Sequence, residues 1–198
     1  MPDSSQIVSP STDESEECFF RGALGSPLPT DALDVLSSAL EGHGWMGEEG
    51  FRINVTRETT KHRAFSGRHV HTTQDSYDST VTVTFFEQSP NVLASVFGDN
   101  NVTVDFGDGH RKTTVRYEED PLPLSSFVIR AVEGEKTMMW VIPEGQITEV
   151  EEFQVVHSAP LTYTVMIDCF KPATGTQPDN PAAINYYSDE PDVTEPGS

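Results

Sequence analysis

The sequence predicts a mainly β, α+β protein: an antiparallel β-sandwich or barrel flanked by one or two short α-helices. Three observations carry this. Apolar and polar residues alternate with a period of two in short runs from Val81 onward. Turn-forming dipeptides separate those runs. Only two stretches show helical spacing, each closed by a glycine.

The first element is a tail. Residues 1–17 carry Asp3, Asp13, Glu14, Glu16 and Glu17 with no base, and few large apolar groups. Such a segment cannot bury enough surface to offset its ordering entropy, so it is expected to be disordered. A candidate helix follows at Asp31 to Glu41, where Leu33, Leu36 and Leu40 share a helical face and Gly42 closes it. From Arg52 to Arg68 the composition turns basic. Arg52, Arg57, Lys61, Arg63 and Arg68 are five of the chain's 12 Lys and Arg residues, accompanied by Glu58 alone. The next residues, His69 to Tyr77, are polar on both faces of any strand. A strand without an apolar face cannot fix its register against a core, which points to pairing outside the chain.

Val81, Val83 and Phe85 alternate with Thr80, Thr82 and Thr84 as in a half-buried strand. Ser89 then N-caps a helix with Pro90 at its first position, and Gly98 ends it after Val92, Leu93, Val96 and Phe97. Val102, Val104 and Phe106 lead into an Asp108-Gly109 turn, and Lys112 to Tyr117 returns with Val115 and Tyr117 inward. Ser125 to Val132 pairs with Thr137 to Ile142 around Glu133-Gly134-Glu135. Ile147 to Val156 and Leu161 to Phe170 complete the set. Residues 173–198 form a second tail, with Asp179, Asp189, Glu190, Asp192 and Glu195 and again no base. The expected organisation is a disordered tail at 1–17, a β-sandwich domain at 18–172 and a disordered tail at 173–198.

The 198 residues carry 32 acids and a formal net charge of −20. The tails hold ten of those acids and no base, leaving 18–172 with a net charge of −10. Nucleic-acid binders gain most of their affinity from Lys and Arg on phosphates, so a chain this acidic is a poor candidate for gripping nucleic acid, though it could surround DNA without gripping it. Cys18 and Cys169 do not mark a disulfide scaffold, and free thiols are expected. The acidic N-terminus lacks a signal peptide's apolar stretch, and no run is long enough for a membrane helix. A soluble protein made in a cytoplasm is expected.

Signals for chemistry are sparse. Asp105-Phe106-Gly107 matches a kinase triplet without the glycine-rich loop or catalytic lysine that must precede it. His62, His69 and His71 cluster in sequence, but no cysteine or carboxylate joins them at metal-ligand spacing. Asp99, Asp105 and Asp108 do not fit a calcium loop. No nucleophile elbow or phosphate loop occurs. No catalytic residue, cofactor or metal is expected.

GWMGEEG at 44–50, TFFEQSPNVLASVFGDNNVT at 84–103, VIPEGQITEVEE at 141–152 and VHSAPLTYTVMI at 156–167 resemble, in order and spacing, the major tail proteins of siphophages, especially those infecting actinobacteria. The resemblance covers roughly 20–172. It implies a structural virion protein of the phage tail, made in the host bacterial cytoplasm, whose six-subunit rings close their inner strands into a barrel. Those rings stack into the tube that conducts genomic DNA, without specific binding. The implied partners are further copies of the chain, a tape measure protein, a tail terminator and baseplate or tail tip proteins. The family's long hairpin contacts a neighbouring ring or subunit, and the matching stretch here is about Arg57 to Gln74. Arg57, Lys61, Arg63, Phe65, Arg68, His69 and His71 are therefore the candidate inter-subunit residues. Ala64-Phe65-Ser66-Gly67 departs from the Trp-Gln-Gly-Gly-like turn common in that family. Two other readings compete. One is another ring-forming virion protein, such as a terminator, connector or capsid decoration protein. The other is a β-sandwich sugar-binding module, which would need an exposed aromatic platform, whereas Trp45 and Trp140 lie in segments expected to pack as strands or turns.

Overall fold

In the computed structural model, residue 10, residues 17–107 and residues 109–190 are described. The expected N-terminal tail thus falls almost wholly outside the described residues, as do Asp108 and the last eight residues. The fold is mainly β and antiparallel with one short helix. Its strands are β1 (Phe19–Ala23), β2 (Glu41–Gly42), β3 (Met46–Arg63), β4 (His69–Phe85), β5 (Val102–Gly107), β6 (His110–Val115), β7 (Ser125–Glu133), β8 (Lys136–Val150), β9 (Tyr163–Phe170) and β10 (Asn185–Asp189). Helix α1 spans Pro90–Phe97. The strands run in the order β2-β1-β7-β8-β9-β4-β3, with β10 also on β8, while β5 and β6 form a separate two-stranded sheet.

Strand β8 changes partners part-way and so joins two layers. It pairs with β7 from Lys136 to Gly145, with β10 over Thr137 to Val141, and with β9 from Glu144 to Val150. The expected strands at 137–142 and 147–156 are therefore one strand running through Pro143 and Gly145, and it ends at Val150 instead of Val156. Phe19, Phe127, Ile129 and Ile142 from one layer meet Val81, Val83, Phe85, Val165 and Ile167 from the other. Phe19 stacks edge-on against Phe85 at 5.0 Å across that core. The alternation read at Val81, Val83 and Phe85 holds, each being 0–1% exposed. Gly145 sits between the two layers with no room for a side chain. A Cβ there would lie 3.0 Å from Ile167 and 3.1 Å from Phe127.

Helix α1 forms as expected. Ser89 Oγ accepts the Val92 amide, and Gly98 closes the last turn through its N–H to the Ala94 carbonyl. The second expected helix, Asp31 to Glu41, is absent: 31–40 are turns and irregular backbone. Local side chains explain this. Asp34 Oδ2 accepts the amides of Thr30 and Asp31, Asp31 Oδ1 accepts Leu33, and Ser37 Oγ accepts Ala39. Asp and Ser thus satisfy the backbone in turns and remove the advantage of a helix. Leu33 is 62% exposed, while Leu40 is buried with Val128, Met139 and Val141 beneath this segment.

The C-terminal tail also differs from expectation. Residues 173–190 return to the body, where β10 adds to β8. Ala183 joins the core, Asn180 donates to the Pro29 carbonyl at 3.1 Å, and Tyr187 bonds to Asn180 at 3.0 Å. The folded unit therefore reaches Glu190, which pairs with Lys136 at 3.1 Å. Low apolar content concealed this, because a strand of five residues needs only a few buried side chains when its edge is supplied by another strand. Tyr117, expected inward, is exposed, although its ring touches Phe97 at 4.8 Å. Trp140 packs between Phe51 and Tyr186, whereas Trp45 is 56% exposed. Cys18 and Cys169 are both buried free thiols, and burial pushes Cys169 up to about 12.

Candidate assembly interface

Strands β3 and β4 are far longer than the body they serve. Pairing of β4 with β9 stops at Ser79–Cys169, where Val55 of β3 is opposite Ser79. Beyond that row the two strands continue alone to a five-residue tip. At about 3.3 Å per residue, 55–64 project roughly 30 Å past the body. Every residue from Arg52 to Thr72 is exposed. The tip closes through the Ala64 amide to the Arg68 carbonyl and the Gly67 amide to the Ala64 carbonyl, both at 2.8 Å. Gly67 there takes φ +79°, a left-handed conformation that the glycine at this position of the loop permits.

The polar arm sequence folds back on itself, which answers part of the question posed by His69 to Tyr77. Its register slips twice, between Glu58 and Thr59 and between His62 and Arg63. With no buried face to hold its register, the arm depends on other contacts. Polar cross-strand contacts brace it instead. Arg57 lies over the Tyr77 ring at 5.1 Å, and the His62 and His71 rings stack at 6.0 Å. His62 Nε2 is 3.1 Å from Thr73 Oγ1, and His69 Nε2 is 2.8 Å from Thr72 Oγ1. Thr60 bonds to Asp75, and Arg63 donates to the Gly67 carbonyl at 3.2 Å.

All seven candidate residues fall on this arm. Arg57 stands nearest the body, Lys61, Arg63, His69 and His71 flank the distal ladder, and Phe65 and Arg68 form the tip. Phe65 is fully exposed. Over 59–74 there are three bases and three histidines and no acid, on a chain of net charge −20. The sequence reading missed Tyr77 and Thr73, which hold Arg57 and His62 in place; only cross-strand register reveals those pairs. The expected inter-subunit role has no counterpart in catalytic geometry. Among the described residues no three His, Cys, Asp or Glu side chains converge as metal ligands, and no helix is long and apolar enough to cross a membrane.

Among the described residues no strand pairs with the outer edge of β3, an 18-residue strand that stands last in the sheet order. An edge of this length is an open template for another strand.

No family model matches the chain, and no curated protein matches it. Among solved structures, a chain from the tail of an empty gene transfer agent particle, refined with C6 symmetry, is 11% identical, with TM-score 0.42 over 80% of this chain and 93% of that one. A chain from the virion of the native gene transfer agent particle gives 10% and 0.40, covering 80% and 93%. A chain from the sheath–tube complex of an extracellular contractile injection system gives 9% and 0.42, covering 85% and 94%. At these identities and TM-scores the likenesses establish neither family nor role.

Proposed function

We propose that this chain is a self-assembling structural subunit, the major tail tube protein of a long-tailed bacteriophage of the siphophage type. The observation that carries the reading is the arm: a basic, fully exposed hairpin projecting from an acidic, well-packed body. A two-stranded hairpin is marginal in water on its own, and among the described residues nothing outside the arm packs against its distal half. The free energy that justifies its length comes from a partner. The motif order at 44–50, 84–103, 141–152 and 156–167 supplies the identity of that partner as further copies of the chain.

In this reading six copies close a ring by pairing free strand edges, and rings stack through the arms. Arg57, Lys61, Arg63, Phe65, Arg68, His69 and His71 contact the neighbouring copy. The excess of acids gives a lumen along which phosphate backbones pass without sticking, since a chain of net charge −20 gains little from counterion release. The tape measure protein, terminator and tip proteins bound the tube, and the product resides in the virion tail. The role is architectural and requires no cofactor.

The test is electron microscopy of the purified protein across a concentration series. Tubes of indefinite length are expected. Rings that never stack would move the assignment to a terminator or connector, and monomers at every concentration would overturn it.

A further inference from the structure

The arm has a shape that needs a seat, and the β8 side of the body offers one. Between residues 117–122 and the second half of β8 lies a groove of about 450 Å³. Phe97 and Leu122 contribute to its apolar floor, and Glu118, Glu119, Asp120 and Glu149 stand exposed around it. No basic side chain lines it. The groove runs from the Gln146–Asp168 row, next to the one where the arm leaves, toward the far end of the sheet. Phe97 packs on Tyr163 at 5.5 Å, and Tyr163 pairs with Phe85, whereas the arm leaves the body at the Ser79–Cys169 row.

We infer that this groove is the receptor for the arm tip of a second copy: Phe65 enters over Phe97 and Leu122, while Lys61, Arg63 and Arg68 meet the carboxylates of the rim. The inference rests on the self-assembly reading and names the surface it leaves open. Two properties select this occupant. The first is complementarity, because the distal arm is an acid-free basic segment that also carries the most exposed aromatic of the described residues, and the groove presents the inverse. The second is reach. The arm points away from its own groove, with the projecting roughly 30 Å of hairpin between tip and body. A copy cannot fill its own seat, so the contact is heterologous and leads to an open linear assembly instead of a closed pair.

The deciding experiment uses the full chain and three charge-reversed forms. Glu118→Lys, Glu119→Lys and Asp120→Lys together should raise the concentration needed for assembly about tenfold or more. Lys61→Glu, Arg63→Glu and Arg68→Glu together should do the same. All six in one chain should restore tubes, because every interface then carries the reversed pairing. Circular dichroism reports whether each variant is folded. A second measurement does not depend on charge reversal: a chain with Ser66→Cys at the exposed tip and Thr148→Cys in the groove wall, oxidised after assembly, should give a ladder of covalently linked copies. The native thiols are buried and do not compete. If the wild type forms tubes and the rim variant assembles at an unchanged concentration, or the cysteine chain yields only monomers, the groove is not the seat and the self-assembly reading survives. If the wild type never assembles, both fall together.

Discussion

The ring of His43 lies between Phe19 and Phe85, at 5.3 and 5.6 Å, and is 1% exposed. Its Nδ1 donates to the Glu41 carbonyl at 2.9 Å, and its Nε2 accepts from the Ser95 hydroxyl at 2.6 Å. Arg21 in turn donates to Ser95 at 3.3 Å, and to Asp99 through both guanidinium arms at 2.8 Å. Burial, assisted by the charge of Arg21, lowers His43 from 6.5 to about 4. The unfolded chain therefore binds a proton that the folded chain refuses. Stability from this group is complete above pH 6.5 and is lost as pH falls toward 4, by about 3 kcal/mol in all. Urea unfolding at a series of pH values should show that decline, and His43→Gln should flatten it. Gly145 provides the second residue-scale expectation. Gly145→Val adds bulk against Ile167 and Phe127, both packed in the core, and should cost about 1–3 kcal/mol with little change in the slope of the unfolding curve.

Among the elements, β10 carries a clear expectation. A chain ending at residue 172 loses Asn180, Ala183, Ile184 and the β8 ladder, and should be destabilised by about 3 kcal/mol or more in urea. Limited proteolysis of the intact chain should cut first at the arm tip, 64–68, and leave 173–190 protected. The arm behaves in the opposite way. Reversing Arg57, Lys61, Arg63 and Arg68 to Glu should leave circular dichroism unchanged, because no core residue is touched, yet abolish tubes in electron microscopy. Each exposed pair contributes only about 0.2–1 kcal/mol, so single changes should have slight effects. These elements also mark how far the sequence could be read. Alternation at 81–85 and the Ser89-Pro90 cap were legible because one face of each is buried by its own chain. The arm was legible as an anomaly, from its charge and its lack of an apolar face. The segment at 31–41 misled because leucine spacing is the same whether Asp and Ser cap a turn or decorate a helix. β10 was hidden because its hydrogen-bond partner is 44 or more residues away in sequence, and the acidic groove because its rim is drawn from two separate strips that only the fold brings together.

For the whole molecule, two electrostatic effects compete. Bodies of net negative charge repel over long distances, while arm and groove attract at contact. Salt screens the first before the second, since the Debye length falls from about 30 Å at 0.01 M to about 10 Å at 0.1 M and about 3 Å at 1 M. Light scattering should therefore show assembly strengthening up to about 0.1 M salt and weakening toward 1 M. Loss of assembly from the lowest salt upward would show that body repulsion is negligible. The direction of the arm has one further consequence. If the basic hairpin of each copy seats in the acidic groove of the next, a stack of copies is a vector: one terminus bristles with guanidinium and ammonium groups and exposed phenyl rings, and the other is a crown of vacant carboxylate-rimmed sockets. Anionic gold particles should decorate one terminus and cationic particles the other, so that growth direction is visible by labelling alone.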